Sequence, residues 1–175
     1  MQGTLRVLTI IDHLALGGAE MMLGRFAEAA PGADIDLSIT CLRKGSGNPA
    51  AAQLRAVGIE PVVLGIDRLR PRQLSALKHH IAQTRPDVVH THLGSSDLLG
   101  SLAARSLGVP AISTIHAMEW TGNARSRIKD ELTARARRQG ASRIIAVSNS
   151  ARHAYLSRGW APSCLLYTSP SPRDS

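Results

Sequence analysis

Several short clusters in this chain carry groups able to bind or react. Gly17-Gly18-Ala19-Glu20 follows an apolar run, Leu5 to Ile11, and leads into the Met-rich stretch Met21 to Ala30. Strand, glycine turn and helix in that order are the layout of an anion site. Glycine lets the backbone approach a phosphate, and the first N–H groups of a helix carry partial positive charge. A tight turn with no ligand uses the same residues, so the reading depends on what else lies beside it. His90 and His92 close the run that starts at Asp87, His116 follows Ala111 to Ile115, and Ser148-Asn149 follow Arg143 to Val147. Alternation along a strand puts His90 and His92 on one face, as metal chelation in an amidohydrolase-type hydrolase requires. His116 is available as a third ligand, but no Asp follows the fifth or sixth run to complete such a set. A histidine that merely ends a strand is the plain alternative for each.

The elements that position these groups alternate along the chain. Strands are predicted at Leu5–Ile11, Ile35–Cys41, Pro61–Leu64, Asp87–His92, Ala111–Ile115 and Arg143–Val147. Helical stretches lie between them. Pro71 opens one at its first position, with Leu74, Leu77 and Ile81 on a face. Ser95 or Ser96 is the expected cap of the next, and Ser148 of the last. His79 and His80 are expected at the surface. Strict alternation implies an α/β fold, a Rossmann-like parallel sheet with helices on both faces. In such sheets ligands bind beyond the C-terminal strand ends. Gly17-Gly18, His90/His92, His116 and Ser148-Asn149 all fall there.

The helix predicted over Ser126–Gln139 has Ile128, Leu132 and Ala136 in line and lies in a basic stretch, Arg125 to Arg138, with Met118 and Trp120 upstream. A basic amphipathic helix can dock on anionic lipid headgroups or hold an acidic acceptor. A packed helix with a solvated Arg face fits the same pattern.

Composition narrows the function classes. The 175 residues are 43% hydrophobic and 19% charged, enough for one domain with a core. Aromatics are 3%, too few for a platform that stacks single-stranded nucleic acid. Net charge of +8 favours acidic partners, and sequence-specific DNA binding has only that charge behind it. Two cysteines make no disulfide framework and fit a reducing cytoplasm. No signal peptide and no membrane-length apolar run is present, so the expectation is a cytoplasmic protein, soluble or peripheral. The first turn lacks Gly-x-Gly-x-x-Gly, and Gly45-Ser46-Gly47 lacks the Gly-Lys-Ser/Thr ending of a P-loop, against dehydrogenase and NTPase readings.

From Cys164 the pattern breaks. Cys164 to Ser175 continues neither helix nor strand and resembles a translated sequencing-library adapter. The expected division is a domain over 1–163 and a non-native tail over 164–175. The tail holds one Arg and one Asp, so the net charge is unchanged without it.

Gly17-Gly18-Ala19-Glu20, Pro86-Asp87-Val88-Val89-His90-Thr91-His92, Gly108-Val109-Pro110, Ser113-Thr114-Ile115-His116 and Arg143-Ile144-Ile145-Ala146-Val147-Ser148 occur in an order that resembles the N-terminal domain of family-4 retaining glycosyltransferases. The resemblance runs from Leu5 to about Pro162 and implies half of a GT-B fold. It implies a nucleotide-diphosphate sugar as donor, with its diphosphate against Gly17 and Gly18. His116 would be the catalytic group beside the transferred sugar, and His92 and Ser148 would line the same rim. No metal or other cofactor is implied. The acceptor would be a lipid, a glycan or a small molecule, and nucleic acid is not expected. The family's second, donor-binding domain is missing, so the chain alone is expected to transfer no sugar. A non-enzymatic module that binds an acceptor or partner is the alternative if the chain truly ends near Ser163.

Overall fold

A computed structural model of the chain describes residues 3–44, 49–66, 71–116, 124–160 and 165–167. The expected loop at Gly45-Ser46-Gly47, Met118 and Trp120 lie outside these. In chain order the elements are β1 (Leu5–Ile11), α1 (Gly18–Ala29), a 3-10 turn (Ala30–Ala33), β2 (Ile35–Cys41), α2 (Ala50–Ala56), β3 (Val62–Val63) and α3 (Pro71–Thr84). β4 (Val88–His92), α4 (Gly94–Ser106), β5 (Ala111–Ile115), α5 (Ala124–Gly140), β6 (Arg143–Ala146), α6 (Asn149–Leu156) and β7 (Leu165–Tyr167) follow. The strands form one parallel sheet in the order β3-β2-β1-β4-β5-β6-β7. Strand order reverses between β1 and β4, where a crevice opens at the C-terminal ends. Among the described residues no helix is long and apolar enough to cross a membrane.

The alternating pattern explains the two-sided core. Val7 and Ile11 of β1 pack with Leu23 and Ala27 of α1 and Leu54 of α2. Leu8 and Ile10, pointing the other way, pack with Leu77 and Ile81 of α3 and Leu99 and Ala103 of α4. A third cluster joins Ile115, Ala134, Ile144, Ala146, Tyr155 and Trp160 beneath α5 and α6. Both faces of β1 are therefore dry, which is why its sequence reads as a continuous apolar run.

Three local expectations are corrected. Leu165–Tyr167, inside the stretch expected to form no strand, pairs in parallel with β6 (Ile144 opposite Leu165, Ala146 opposite Tyr167). An apolar triplet adding to an open sheet edge satisfies backbone groups that would otherwise face solvent. The rest of that stretch, Cys164 and residues 168–175, lies outside the described residues. His80 is half-buried rather than a surface residue, with Nε2 2.8 Å from Thr40 Oγ1. Burial there pushes its pKa down.

The third correction concerns α5. Ile128 and Leu132 are 62% and 49% exposed; the buried side is Thr133, Ala134, Ala136 and Arg137. A buried ion pair sets this rotation. Asp97 of α4, fully buried, accepts hydrogen bonds from Thr91 Oγ1 (2.6 Å), Ser113 Oγ (2.6 Å) and Arg137 Nη2. Arg137 Nε also donates to Ser113 Oγ at 3.0 Å. Burial alone would lower the Arg137 pKa, but the charge and hydrogen bond of Asp97 outweigh it and the pKa is raised. The end of α5 meets α4 so closely that a Cβ on Gly140 would lie 2.5 Å from the Ser101 carbonyl oxygen. Replacing Arg137 by Met would strand the Asp97 charge and is expected to cost about 3–5 kcal/mol in urea unfolding. Adding Asp97→Asn should recover a large share, and a loss under 1 kcal/mol for the single variant would show that the pair does not hold the helix.

Candidate functional site

The crevice is organised by Asp12, directly after β1. Its carboxylate is 6% exposed and accepts from the backbone N–H groups of Ser95 (3.1 Å) and Ser96 (2.5 Å) at the start of α4. The cap of α4 is thus supplied by a residue 83 positions away, in place of the expected Ser95 or Ser96. Those hydroxyls have other partners: Ser96 Oγ donates to the carbonyls of His92 and Leu93, and Ser95 Oγ accepts from Arg43 Nη2 at 2.9 Å. Leu93 takes φ 73° to make the turn, an uncommon conformation for a side-chain-bearing residue.

The start of α1 is different. Its N-cap is Gly17, and no side chain caps it. Gly17 has φ −152°, which any residue adopts, so what a side chain would disturb here is the Glu20 carboxylate and not the backbone. A Cβ on Gly17 would lie 2.6 Å from Glu20 Oε2, while one on Gly18 would meet nothing within 4 Å. Glu20 is 4% exposed, folds back under Gly17, and accepts from His13 Nδ1 at 3.0 Å. The first turn of α1 therefore offers backbone N–H groups that no side chain of the helix caps.

A cleft of about 790 Å³ joins these parts. Its lining includes Gly17, Gly18 and Glu20 from the start of α1, Gly94, Thr114 and His116 from the β4 and β5 ends, and Lys129, Thr133 and Trp160. Lys129 overhangs Gly94, where an added Cβ would sit 3.6 Å from Nζ.

The three strand-end histidines stack in a row. The rings of His90 and His92 are 4.1 Å apart, and those of His92 and His116 are 5.1 Å apart. His92 is fully buried beneath His116, its Nδ1 2.8 Å from His116 Nε2. His90 Nε2 lies 2.7 Å from Thr114 Oγ1. Burial pushes all three pKa values down: His90 to about 4, His92 well below its ordinary value, and His116 less far because Asp97 and Glu20 oppose the effect. The row is neutral at physiological pH.

Gly17, Gly18 and His116 are therefore brought to one cleft. His92, expected on the rim, lies behind His116. Ser148 does not line the cleft; its Oγ caps α6 by accepting from Ala151 N at 3.1 Å. Its position two elements along the sheet explains this, since α6 begins at the strand end and uses the hydroxyl locally. Among the described residues no group of three or more His, Cys, Asp or Glu is placed to hold a metal ion. The hydrolase reading of His90/His92 finds their ring nitrogens facing Thr114 and His116 instead. Sequence reasoning missed Asp12 and assigned Glu20 no role of its own.

The family model for Glycosyltransferase Family 4 matches residues 16–167, most of the chain and most of the residues that line the cleft. The chain belongs to that family. Its fold is shared with Anabaena HepE in complex with UDP and glucose (TM-score 0.75, 16% identity, 97% of this chain and 48% of that one). It is also similar to the S. aureus MnaA–UDP co-structure (TM-score 0.71, 17% identity, 94% and 44%) and to Acinetobacter baumannii MurG (TM-score 0.59, 16% identity, 83% and 42%). The family-4 chain thus spans less than half the length of each of these structures. No curated protein matches its sequence.

The neutral histidines link the site to stability. Their folded pKa values lie below the ordinary 6.5, so below that pH the unfolded chain takes up protons more readily than the family-4 domain does. Their contribution is complete above about pH 6.5 and is lost as pH falls toward about 4. Asp87, held down to about 2 by Arg6, begins to lose its own contribution at about pH 5, so the histidine slope is read between about pH 6.5 and 5. Urea midpoints should fall between pH 6.5 and 4, and His90→Gln should flatten that slope; an unchanged slope would show that His90 does not titrate this way.

Proposed function

We propose that this family-4 domain is the acceptor-side half of a nucleotide-sugar-dependent retaining glycosyltransferase. The observation that carries the proposal is the contrast between two helix starts at one crevice: α4 is closed by Asp12, whereas α1 is uncapped beside Gly17 and Gly18. A donor's diphosphate fits against the open one, where backbone N–H groups and the helix dipole favour negative charge. When the sugar's bond to the diphosphate breaks and the acceptor oxygen takes the sugar, the hydroxyl proton passes to an oxygen of the leaving diphosphate, and fixed N–H dipoles stabilise the negative charge that grows there. The transferred sugar would lie beside His116. UDP in the HepE and MnaA structures supports the donor class. Retention of anomeric configuration rests on the family resemblance. The reading assigns no metal or cofactor, and the acceptor is a lipid, a glycan or a small molecule.

In this reading the chain is part of a longer protein. Residues 1–163 form the domain and 164–175 derive from a library adapter in this reading; the pairing of Leu165–Tyr167 and the family match running to residue 167 stand against that origin. Re-sequencing the source DNA across the codon for Ser163 with a different adapter should extend the frame into a second α/β domain. The extended enzyme should turn over a nucleotide sugar while the 175-residue chain does not. In the extended enzyme His116→Ala should lower kcat by about 100-fold, and Gly17→Ala, which displaces Glu20, should weaken donor binding. Turnover by the 175-residue chain would overturn the division of labour.

We further propose that the domain sits in the cytoplasm and touches the anionic inner membrane surface through α5. Ile128 and Leu132 lie on its outer face with exposed Arg135 and Arg138 nearby, so apolar and cationic groups face solvent together. Co-sedimentation with anionic vesicles is expected to exceed that with neutral ones. Ile128→Ser/Leu132→Ser should reduce it, and equal binding to both vesicle types would remove the membrane from the proposal.

A further inference from the structure

His116 reaches the cleft with one ring nitrogen already engaged. Its Nε2 lies 2.8 Å from Nδ1 of the fully buried His92, so Nδ1 is the nitrogen left for a ligand. Burial keeps His92 neutral, and at the short contact one nitrogen donates and the other accepts.

Only two arrangements of protons exist. If His116 Nε2–H donates, the proton of His92 must reside on its own Nε2. That nitrogen is buried and has no hydrogen-bond partner among the described residues. An N–H buried without an acceptor costs about 1–3 kcal/mol and is rare in folded proteins. If His92 Nδ1–H donates instead, the partnerless His92 Nε2 is a bare lone pair and no N–H is orphaned. His116 Nε2 is then the acceptor, and the His116 proton is on Nδ1, facing the cleft.

We infer that His92 is a positioning residue that fixes the tautomer of His116, so that His116 presents an N–H donor to the ligand rather than a base. Free imidazole side chains favour the Nε2–H form, so the contact inverts the intrinsic preference. A donor at this place suits a sugar or phosphate oxygen. It cannot accept a proton from an acceptor hydroxyl, because Nδ1 already carries one and Nε2 is turned to His92. Thr114, which also lines the cleft, is held in the same row through His90. The identity of the ligand oxygen rests on the glycosyltransferase reading; the tautomer does not.

The test reads the tautomer directly. The ¹⁵N-labelled 175-residue chain is examined at pH 7.5 by long-range ¹H–¹⁵N correlation, with the His116 ring signals assigned by their loss in His116→Gln. The expected pattern is a protonated Nδ1 and an unprotonated Nε2. An Nε2–H pattern in the unaltered chain overturns the inference, whatever the protein's activity. His92→Asn, whose amide N–H stands where Nδ1–H did, should keep the Nδ1–H pattern of His116. His92→Phe should release it to Nε2–H. Identical spectra for the two variants would also overturn the inference. The unaltered chain and His92→Asn decide the matter if His92→Phe fails to fold. In the extended enzyme, His92→Phe should lower kcat by about tenfold or more with little change in donor KM, and His92→Asn should restore it. Inactivity of every form alongside the expected spectra would count against the glycosyltransferase reading and leave the tautomer assignment standing.

Discussion

One carboxylate at the reversal of strand order governs the geometry of this cleft. Asp12 leaves the end of β1 and binds two backbone N–H groups of α4, adding a side-chain tie at the C-terminal rim to the backbone pairing of β1 with β4. Because both N–H groups are spent, α4 cannot serve as an anion site although it starts at the crevice. The same bonds fix the Leu93–Gly94 turn, and through Ser96 Oγ they hold the His92 and Leu93 carbonyls. The end of β4 is thereby immobilised, and the row of imidazoles is built on that end. The uncapped start of α1 gains its meaning by contrast. Two helices point their positive ends at one crevice; one has its N–H groups bound by Asp12, while the first turn of the other holds Glu20 beneath Gly17 without a side-chain cap.

The buried Asp97–Arg137 pair performs the matching task on the other face. Two charges removed from water need excellent geometry to break even, and here Thr91, Ser113 and Arg137 surround the carboxylate. The pair pins α5 against α4 with Arg137 inward. A helix has one inward direction, so Ile128 and Leu132 must turn out. The exposed apolar pair is the consequence of burying an arginine, and the basic residues flanking it follow from the same rotation.

The alternating strands and helices were legible because burial on both faces leaves mainly apolar runs, as in Val7–Ile11 and Ala111–Ile115, broken only by small hydroxyl side chains. Edges were less legible. Pro61–Leu64 shortens to Val62–Val63, both exposed, since an edge strand has one neighbour to pair with. Side chains acting across the fold were not legible. Asp12 and Ser95 meet only because β1 and β4 are adjacent, and Asp97 reads as a polar interruption in an apolar helix until Arg137 arrives from 40 residues away. Gly17, Gly18 and His116 could be placed in one cleft because strand ends of a parallel sheet share a rim. The depth of His92 below that rim could not, because alternation gives a side chain's face and not how much lies above it.

The choice of a second imidazole behind His116, where a carboxylate is the commoner partner, has an electrostatic consequence. A carboxylate at that distance would favour the imidazolium form and leave a cation at the centre of the cleft. Neutral His92 adds no such charge, and burial outweighs the pull of Asp97 and Glu20, so His116 remains uncharged. Positive potential in the cleft then comes from the α1 dipole at Gly17–Gly18 and the Lys129 ammonium over Gly94 rather than from His116. A group that must stay neutral and point one proton at a ligand is better governed by a buried neutral neighbour than by a charged one, and the dry floor built by β4 and β5 makes that arrangement stable.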